Sequence, residues 1–414
     1  METTDNLNAD MAQQAFVHTH RNDDVRALML HARRYPEVDV RAAAVQIAAW
    51  QTARTKLPLW AATDGILYPE HLSMEQCSSQ ATAAYKARLV TKADRLTDLT
   101  GGFGVDATML ARAAAPSHLT FVERDARLCA LARHNLPLLG IDGAEVLNAD
   151  AEAVLRDLPR QQLIFIDPAR RDQHGRKTVA IADCSPNVLA LNDLLLTKSD
   201  LVMIKLSPML DLNEAERTLH GVSDIHVISV HGECKEVLIV LRSTPSDAVA
   251  ASAPVIHCVN LEARQSSAGD APTDSHFAFT REDERHAPCP YATTLRRYLY
   301  EPNASVLKAA AFKTVAQRWS VEKLHPDSHL YTSDTLHPDF PGRAFEIQAY
   351  STFQKRALRT FLAPLERANL TVRNFPHSVS DLRRRLRLAE GGTDYLFATT
   401  MADGQHLLIR TKKI

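Results

Sequence analysis

The chain has 414 residues, of which 45% are hydrophobic and 23% charged, with a formal net charge of −1. That length exceeds one typical domain, so two or three are expected, and the composition is that of an ordinary soluble globular protein. No run of about 18 apolar residues occurs, which argues against a helical membrane span, and six cysteines without a Cys-x-x-Cys pair predict reduced structural thiols rather than a disulfide or metal-thiolate framework.

Residues 1–92 read as a helical region. The opening Met1-Glu-Thr-Thr-Asp5 is acidic and lacks an apolar core, so no signal peptide and a cytoplasmic location are expected. His18-x-His20 has no second ligand pair beside it; it predicts a solvated helix face, and no metal is expected. Ala42 to Ala53 is alanine-rich, with Val45, Ile47, Ala48 and Trp50 at apolar spacing, and breaks at Pro58. A second helix is predicted from about Ser73 to Val90, with Ser73-x-x-Gln76 as its capping box. It ends in Tyr85-Lys86-Ala87-Arg88 just before the first sheet strand, where it can pack across a ligand pocket. Lys86 there faces either a carboxylate or solvent, and solvent is the simpler expectation.

Residues 93–245 are predicted to form an α/β unit. The strand Arg95 to Leu99 leads into Gly101, Gly102 and Gly104, and a helical pattern follows through Met109, Leu110 and Ala114. Strand, tight glycine loop and helix make a cradle for a nucleotide-like group, because glycine tolerates positive φ and the helix N-terminus favours polar ligands. The second strand, His118 to Val122, ends at Glu123, about 20 residues beyond the loop, where a carboxylate can accept both ribose hydroxyls. The third, Glu145 to Asn148, ends at Asp150. The fourth, Leu163 to Ile166, ends at Asp167-Pro168. Asp98, Glu123, Asp150 and Asp167 thus stand at successive strand tips, the edge at which open α/β sheets bind ligands. Each alone reads equally as a helix cap or turn residue; four in register favour a cofactor site. Arg170, Arg171 and Asp172 and a polar stretch to Lys177 follow. Ser185 to Leu196 reads as a helix, Leu201 to Leu206 as the fifth strand, and His226 to Val230 with Glu236 to Leu241 as a closing hairpin around Gly232.

No phosphate-binding G-x-x-x-x-G-K-[ST] loop is present, and the glycine spacing is not G-x-G-x-x-G. The block Asp98-x-Thr100-x-Gly102-x-Gly104-x-Asp106-Ala107, followed by Glu123-Arg124 and Asp167-Pro168, resembles class I S-adenosylmethionine-dependent methyltransferases. It is most similar to bacterial small-subunit rRNA guanine-N2 methyltransferases, over roughly residues 93–170. The resemblance implies a Rossmann-like seven-stranded sheet whose last strand runs antiparallel. It also implies S-adenosyl-L-methionine as cofactor, held by Asp98, Gly101, Gly102, Gly104, Val105, Asp106, Glu123, Arg124, Asp150, Ala151 and Asp167. Arg124 is expected to contact it through the backbone alone.

Asp167, Pro168 and Arg170 are the candidate catalytic residues. A carboxylate at that tip can accept an N–H of an exocyclic amine and orient its lone pair. Amino-methyltransferases commonly show [DN]-P-P-[FYW] here; this chain keeps Asp-Pro but continues Ala169-Arg170. Arg170 can stack on a base or bind phosphate, or it is a surface arginine. Covalent C5-pyrimidine chemistry needs a cysteine nucleophile, and Lys205-Leu206-Ser207-Pro208 at the fifth strand tip has none. Cys184, in the loop after the fourth strand, is the nearby thiol, so covalent catalysis is not expected.

Residues 246–319 read as a linker rich in Ser, Ala, Pro and Asp with a small accessory unit, in which Val255 to Leu261 and Phe277-Ala-Phe279 pair as strands. Tyr298 to Ala311 holds a turn and a helix start. Residues 320–414 read as a final α/β module: strand Ala344 to Tyr350, helix Thr352 to Leu365, strand Leu370 to Asn374, helix Val379 to Leu388, and a hairpin of Asp394 to Thr400 with His406 to Thr411 around Asp403-Gly404. Its Thr371-Val-Arg-Asn-Phe-Pro376 and Asp394-Tyr-Leu-Phe-Ala-Thr-Thr400 stretches resemble the THUMP-like C-terminal domain of a methyltransferase group. Residues 341–414 carry thirteen Lys and Arg against six Asp and Glu, a net +7 that leaves −8 on the rest. Such asymmetry points to a polyanion partner, and RNA (rRNA or tRNA) is the partner expected. On the last helix, Arg383, Arg384 and Arg387 are predicted to share one face. The leading expectation is an RNA base methyltransferase. A small-molecule or protein methyltransferase and a non-catalytic RNA-binding protein are the alternatives.

Overall fold

The computed structural model describes residues 12–170, 181–243, 253–262 and 274–414. Arg171, Asp172, Lys177, the opening five residues and most of the Ser/Ala/Pro/Asp-rich linker lie outside these. The chain divides into two compact units: residues 1–222 with 238–251, and residues 223–237 with 252–414.

In the first unit, the helix α1 (Val40–Lys56) is capped by Asp39, whose carboxylate accepts the N–H groups of Arg41 and Ala42. The single helix expected over 73–90 is two: His71–Gln76, which has no side-chain cap, and α2 (Gln80–Arg88), capped by Ser79 rather than Ser73. The break falls at Cys77-Ser78, where the backbone turns extended at Cys77. Helix α2 packs on α3 (Val105–Ala114), the helix after the glycine loop.

The strands β1 (Arg95–Asp98), β2 (His118–Glu123), β3 (Glu145–Asn148), β4 (Gln161–Ile166) and β7 (Ser199–Leu206) pair with one another in parallel, with β1 between β2 and β4. With β9 (Glu233–Arg242) the order in this unit is β9-β7-β4-β1-β2-β3. The central strands β4 and β7 are covered on both faces, which accounts for their apolar runs; Leu96, Phe121, Ile164, Phe165, Val202 and Met203 are fully buried. Cys184, expected in a loop, is buried on the short strand β6 (Cys184–Ser185), which pairs with β5 (Ala169–Arg170).

In the second unit, β8 (Val222–Val230) turns into β9 through His231-Gly232, both at positive φ, the conformation of a tight hairpin turn. The strand β10 (Val255–Leu261) lies parallel to β8, and β11 (Ser275–Phe279) antiparallel to β10. The pair read as an accessory hairpin is therefore an extension of a sheet. A separate seven-stranded sheet has the order β13-β14-β12-β15-β18-β17-β16, from β12 (Tyr298–Pro302), β13 (Glu322–Lys323), β14 (Tyr331–Ser333), β15 (Gly342–Thr352), β16 (Asn369–Arg373), β17 (Asp394–Thr400) and β18 (His406–Lys413). Buried Glu301 on β12 is ion-paired to Arg343 on β15 and, at 2.9 Å, to Arg373 on β16. Two of the thirteen basic residues of the C-terminal module thus share one buried carboxylate, which offsets one of their two charges.

The last helix stops at Leu386, not Leu388. Arg387 adopts a left-handed conformation and the Leu388 N–H reaches back to the Arg383 carbonyl, which ends the helix and buries Leu388. Arg387 therefore does not share a helix face with Arg383, whose guanidinium donates to the Ala368 carbonyl and lies near Glu390. The exposed arginines here are Arg384, Arg385 and Arg387.

Among the described residues, no helix is long and apolar enough to cross a membrane.

Candidate active site

The glycine loop is built from the strand ends outward. The Leu99 N–H donates to the Phe165 carbonyl on β4 and the Gly101 N–H to the Val122 carbonyl on β2, which ties the loop to both neighbours of β1. A side chain at Gly101 would place its Cβ 2.1 Å from Cζ of Phe121, so only glycine fits. Gly104 caps α3 at φ 84°, a conformation that excludes most other residues. Val105, the first helical residue, is buried with Trp60, Tyr68 and Phe103 in a core drawn mostly from the N-terminal helical region. That region therefore buttresses the loop.

Glu123, at the tip of β2, locks onto this loop. One carboxylate oxygen accepts the Gly102 N–H at 2.9 Å and the other the Asp125 N–H at 2.8 Å. Each oxygen keeps a lone pair for a further donor. The exposed Arg124 follows it. Asp98 is fully buried and accepts the Thr100 N–H at 2.9 Å. Burial pushes its carboxyl well above the usual carboxylate range; the Thr100 bond opposes this, and the nearby carboxylates of Asp106, Asp167 and Glu123 add to it. The Thr100 hydroxyl in turn accepts the Asp167 N–H at 2.6 Å, which joins the tips of β1 and β4.

Asp106, in the first turn of α3, is buried. Its carboxylate stands 2.9 Å from Nζ of Lys86 and accepts the hydroxyl of Ser78 at 2.6 Å, while Lys86 Nζ also donates to Ser78 at 3.1 Å. Lys86 is fully buried, against the expectation of a solvated lysine. The reason is tertiary: packing of α2 on α3 aims Lys86 at a carboxylate twenty positions ahead. Burial alone would raise Asp106, but the charges of Lys86 and Lys205 and the hydrogen bonds from Ser78 and Lys86 hold it below the ordinary carboxylate value.

Asp167, partly exposed at the tip of β4, is ion-paired with Lys205 of the adjacent strand β7. Pro168 beside it is buried, and Arg170 lies on β5 opposite Cys184. Asp150 serves as the N-cap of the helix Ala151–Asp157, accepting the N–H groups of Glu152 and Ala153, and is exposed; Ala151 is buried. The Asn148 side chain before it donates to the carbonyls of Glu123 and Arg124.

The structure thus gathers Asp98, Gly101, Gly102, Gly104, Val105, Asp106, Glu123 and Asp167 about one glycine loop. Ser78, Lys86 and Lys205 join them without having been assigned from sequence. Lys205 had a readable signal, a charge near the end of the apolar strand Leu201–Leu206. Ser78 had none. His20, read as solvated, instead lies 2.7 Å from Asp23, with its ring against Phe16 and Tyr35.

Two family models match the chain: a ferredoxin-like domain over residues 298–341 and a THUMP domain-like module over residues 342–413. A comparison with curated proteins finds no match. Among solved structures, the chain is similar to one described as a "putative methyltransferase" from Porphyromonas gingivalis W83, with 35% identity, a TM-score of 0.83 and 97% of each chain covered. It is also similar to an S-adenosylmethionine-dependent methyltransferase from Agrobacterium tumefaciens, at 14% identity over 40% of this chain and 61% of that one, TM-score 0.30. TrmN from Thermus thermophilus matches at 18% identity over 46% and 53%, also with a TM-score of 0.30. Scores of that size are too low to compare whole folds. The first match spans nearly both chains at a third identity, and the chain therefore belongs to the family of the Porphyromonas gingivalis protein: it is a methyltransferase with a class I core and a THUMP-like C-terminal module.

Proposed function

We propose that the chain transfers a methyl group from S-adenosyl-L-methionine to a base of rRNA or tRNA, at an exocyclic amine. The observation that carries the cofactor reading is Glu123, a carboxylate at the second strand tip held by the Gly102 N–H of the glycine loop and by the N–H of Asp125. This is the arrangement that a ribose diol requires. The donor set fits the rest of the cofactor as well. Asp98 is a buried acid that faces other carboxylates, so the ammonium of a bound amino-acid moiety would relieve it.

When bound, S-adenosyl-L-methionine supplies an activated methyl group on its sulfonium. The chain's own work is to orient the acceptor. Lys205 holds one oxygen of Asp167, and Thr100 holds the Asp167 backbone, so the remaining carboxylate oxygen has a defined direction for an acceptor N–H. Arg170 follows in the chain as a candidate for stacking on a base. The RNA reading rests on the THUMP-like module and its net +7 charge, to which the exposed Arg384, Arg385 and Arg387 contribute.

The test has two arms. Calorimetry with S-adenosyl-L-methionine should show binding that Glu123→Ala weakens by about 1–3 kcal/mol, whereas Asp167→Ala keeps most affinity but removes turnover. Mass spectrometry of nucleosides from RNA of strains with and without the gene should show one methylated base missing from the latter. Unchanged affinity in a folded Glu123→Ala variant refutes the ribose assignment. Identical nucleoside profiles refute the RNA substrate and favour a small-molecule or protein acceptor.

A further inference from the structure

Four polar side chains gather on three neighbouring strands of the second unit. Asp224 and His226 are two residues apart on β8, so they project from the same face of the sheet. His257 on β10 stands directly opposite His226 in the parallel register, and the two rings stack 4.3 Å apart with their planes 8° from parallel. Nε2 of His257 lies 3.0 Å from Oδ1 of Asp224. On the next strand, β11, His276 brings its Nε2 within 3.0 Å of Nδ1 of His257. The potential ligand atoms of Asp224, His226 and His257 all lie within 4.8 Å of one another. His226 is buried, while the side chains of Asp224 and His257 are 25% and 17% exposed.

We propose that Asp224, His226 and His257 form a binding site for a divalent transition-metal cation of the zinc class. Two imidazoles and a carboxylate are a borderline donor set that favours zinc, cobalt, nickel or copper over magnesium and calcium, which require oxygen ligands. Tetrahedral zinc with bonds of about 2.1 Å separates its ligand atoms by roughly 3.4 Å. The Asp224–His257 pair, at 3.0 Å, opens by a few tenths of an ångström, and the His226 ring turns out of its stack on His257 to aim a nitrogen at the same point. Three protein ligands and the partial exposure of two of them leave a fourth position for water.

His276 completes the design from outside the ligand set. Without metal, Nε2 of His257 donates to Asp224; once Nε2 turns to a metal, Nδ1–H donates to Nε2 of His276, which fixes the tautomer and the ring orientation. His276 is a positioning residue. The site is invisible to a search for ligand spacing along the chain, because positions 224, 226, 257 and 276 meet only through the pairing of β8, β10 and β11.

The test uses the full-length protein, stripped with a chelator and titrated with zinc chloride by calorimetry. Wild type should take up one tight equivalent that His257→Gln and Asp224→Asn lack, with circular dichroism confirming that each variant is folded. Cobalt substitution should give a visible absorption band lost in the same variants. His276→Gln, which keeps all three ligands, should weaken zinc by about 10–100-fold and displace the cobalt band. If His257→Gln fails to fold, the more exposed Asp224→Asn decides by the same reading. Equal stoichiometry and affinity in wild type and either folded ligand variant, or no tight equivalent in wild type, overturns the proposal.

Discussion

Removal of the Lys86 ammonium is the sharpest test of how the glycine-loop region is held together. Lys86 is fully buried, the Asp106 side chain is 10% exposed, and their charges are 2.9 Å apart. At an effective dielectric of about 20 the attraction is roughly 6 kcal/mol, much of it offset by the desolvation of both ions. Lys86→Met retains the apolar stem against α3 but leaves Asp106 charged and buried. Breaking such a pair from one side costs about 3–5 kcal/mol. The loss should also depend on pH. In wild type the lowered Asp106 carboxyl contributes stability that is present above the unfolded carboxylate value and lost as pH falls through the folded one. In the variant, burial without Lys86 raises the same carboxyl, so the deficit is small in acid and grows as pH rises past about 4. The double variant Lys86→Met with Asp106→Leu should recover most of the loss, since neither charge is then stranded. The assay is urea unfolding followed by tryptophan fluorescence in a Trp319→Phe background, where Trp50 and the buried Trp60 report the first unit alone. A single variant within about 1 kcal/mol of wild type, or a deficit equal at pH 5 and pH 8, refutes the reasoning.

Gly101→Ala should lower the unfolding midpoint by the equivalent of about 1–3 kcal/mol, because its Cβ would meet the Phe121 ring at 2.1 Å and that ring is fully buried; an unchanged midpoint in the same urea assay would show that the ring can yield. If the C-terminal module docks RNA, changing Arg384, Arg385 and Arg387 together to Ala should reduce the salt slope of RNA affinity by about 2–3 units. The affinity for S-adenosyl-L-methionine should stay unchanged, since these residues lie in the other unit. Identical slopes across a salt series would show that this surface does not meet phosphate.

The strands carrying the candidate site were legible in the chain. The acids of β2 and β4 announced themselves by ending apolar runs, and Asp98 by standing just before the glycines that follow the first strand. Those signals are local, set by strand periodicity and by the conformations only glycine tolerates, so neighbouring residues carry them. The hairpin at Asp403-Gly404 was legible for the same reason. The boundaries that failed were decided by packing: the last helix ends at Leu386 because Leu388 returns to the core, and the predicted 73–90 helix breaks so that Ser78 can meet Asp106. What only the tertiary structure decided is who partners whom. Lys86 with Asp106, Lys205 with Asp167, and Asp224 and His226 with His257 and His276 are contacts across elements, and the burial of Lys86 follows from its partner rather than from its neighbours. Periodicity states which face of an element is buried. It does not state which element lies opposite, and a charged side chain can be buried only where that opposite element supplies its counter-charge.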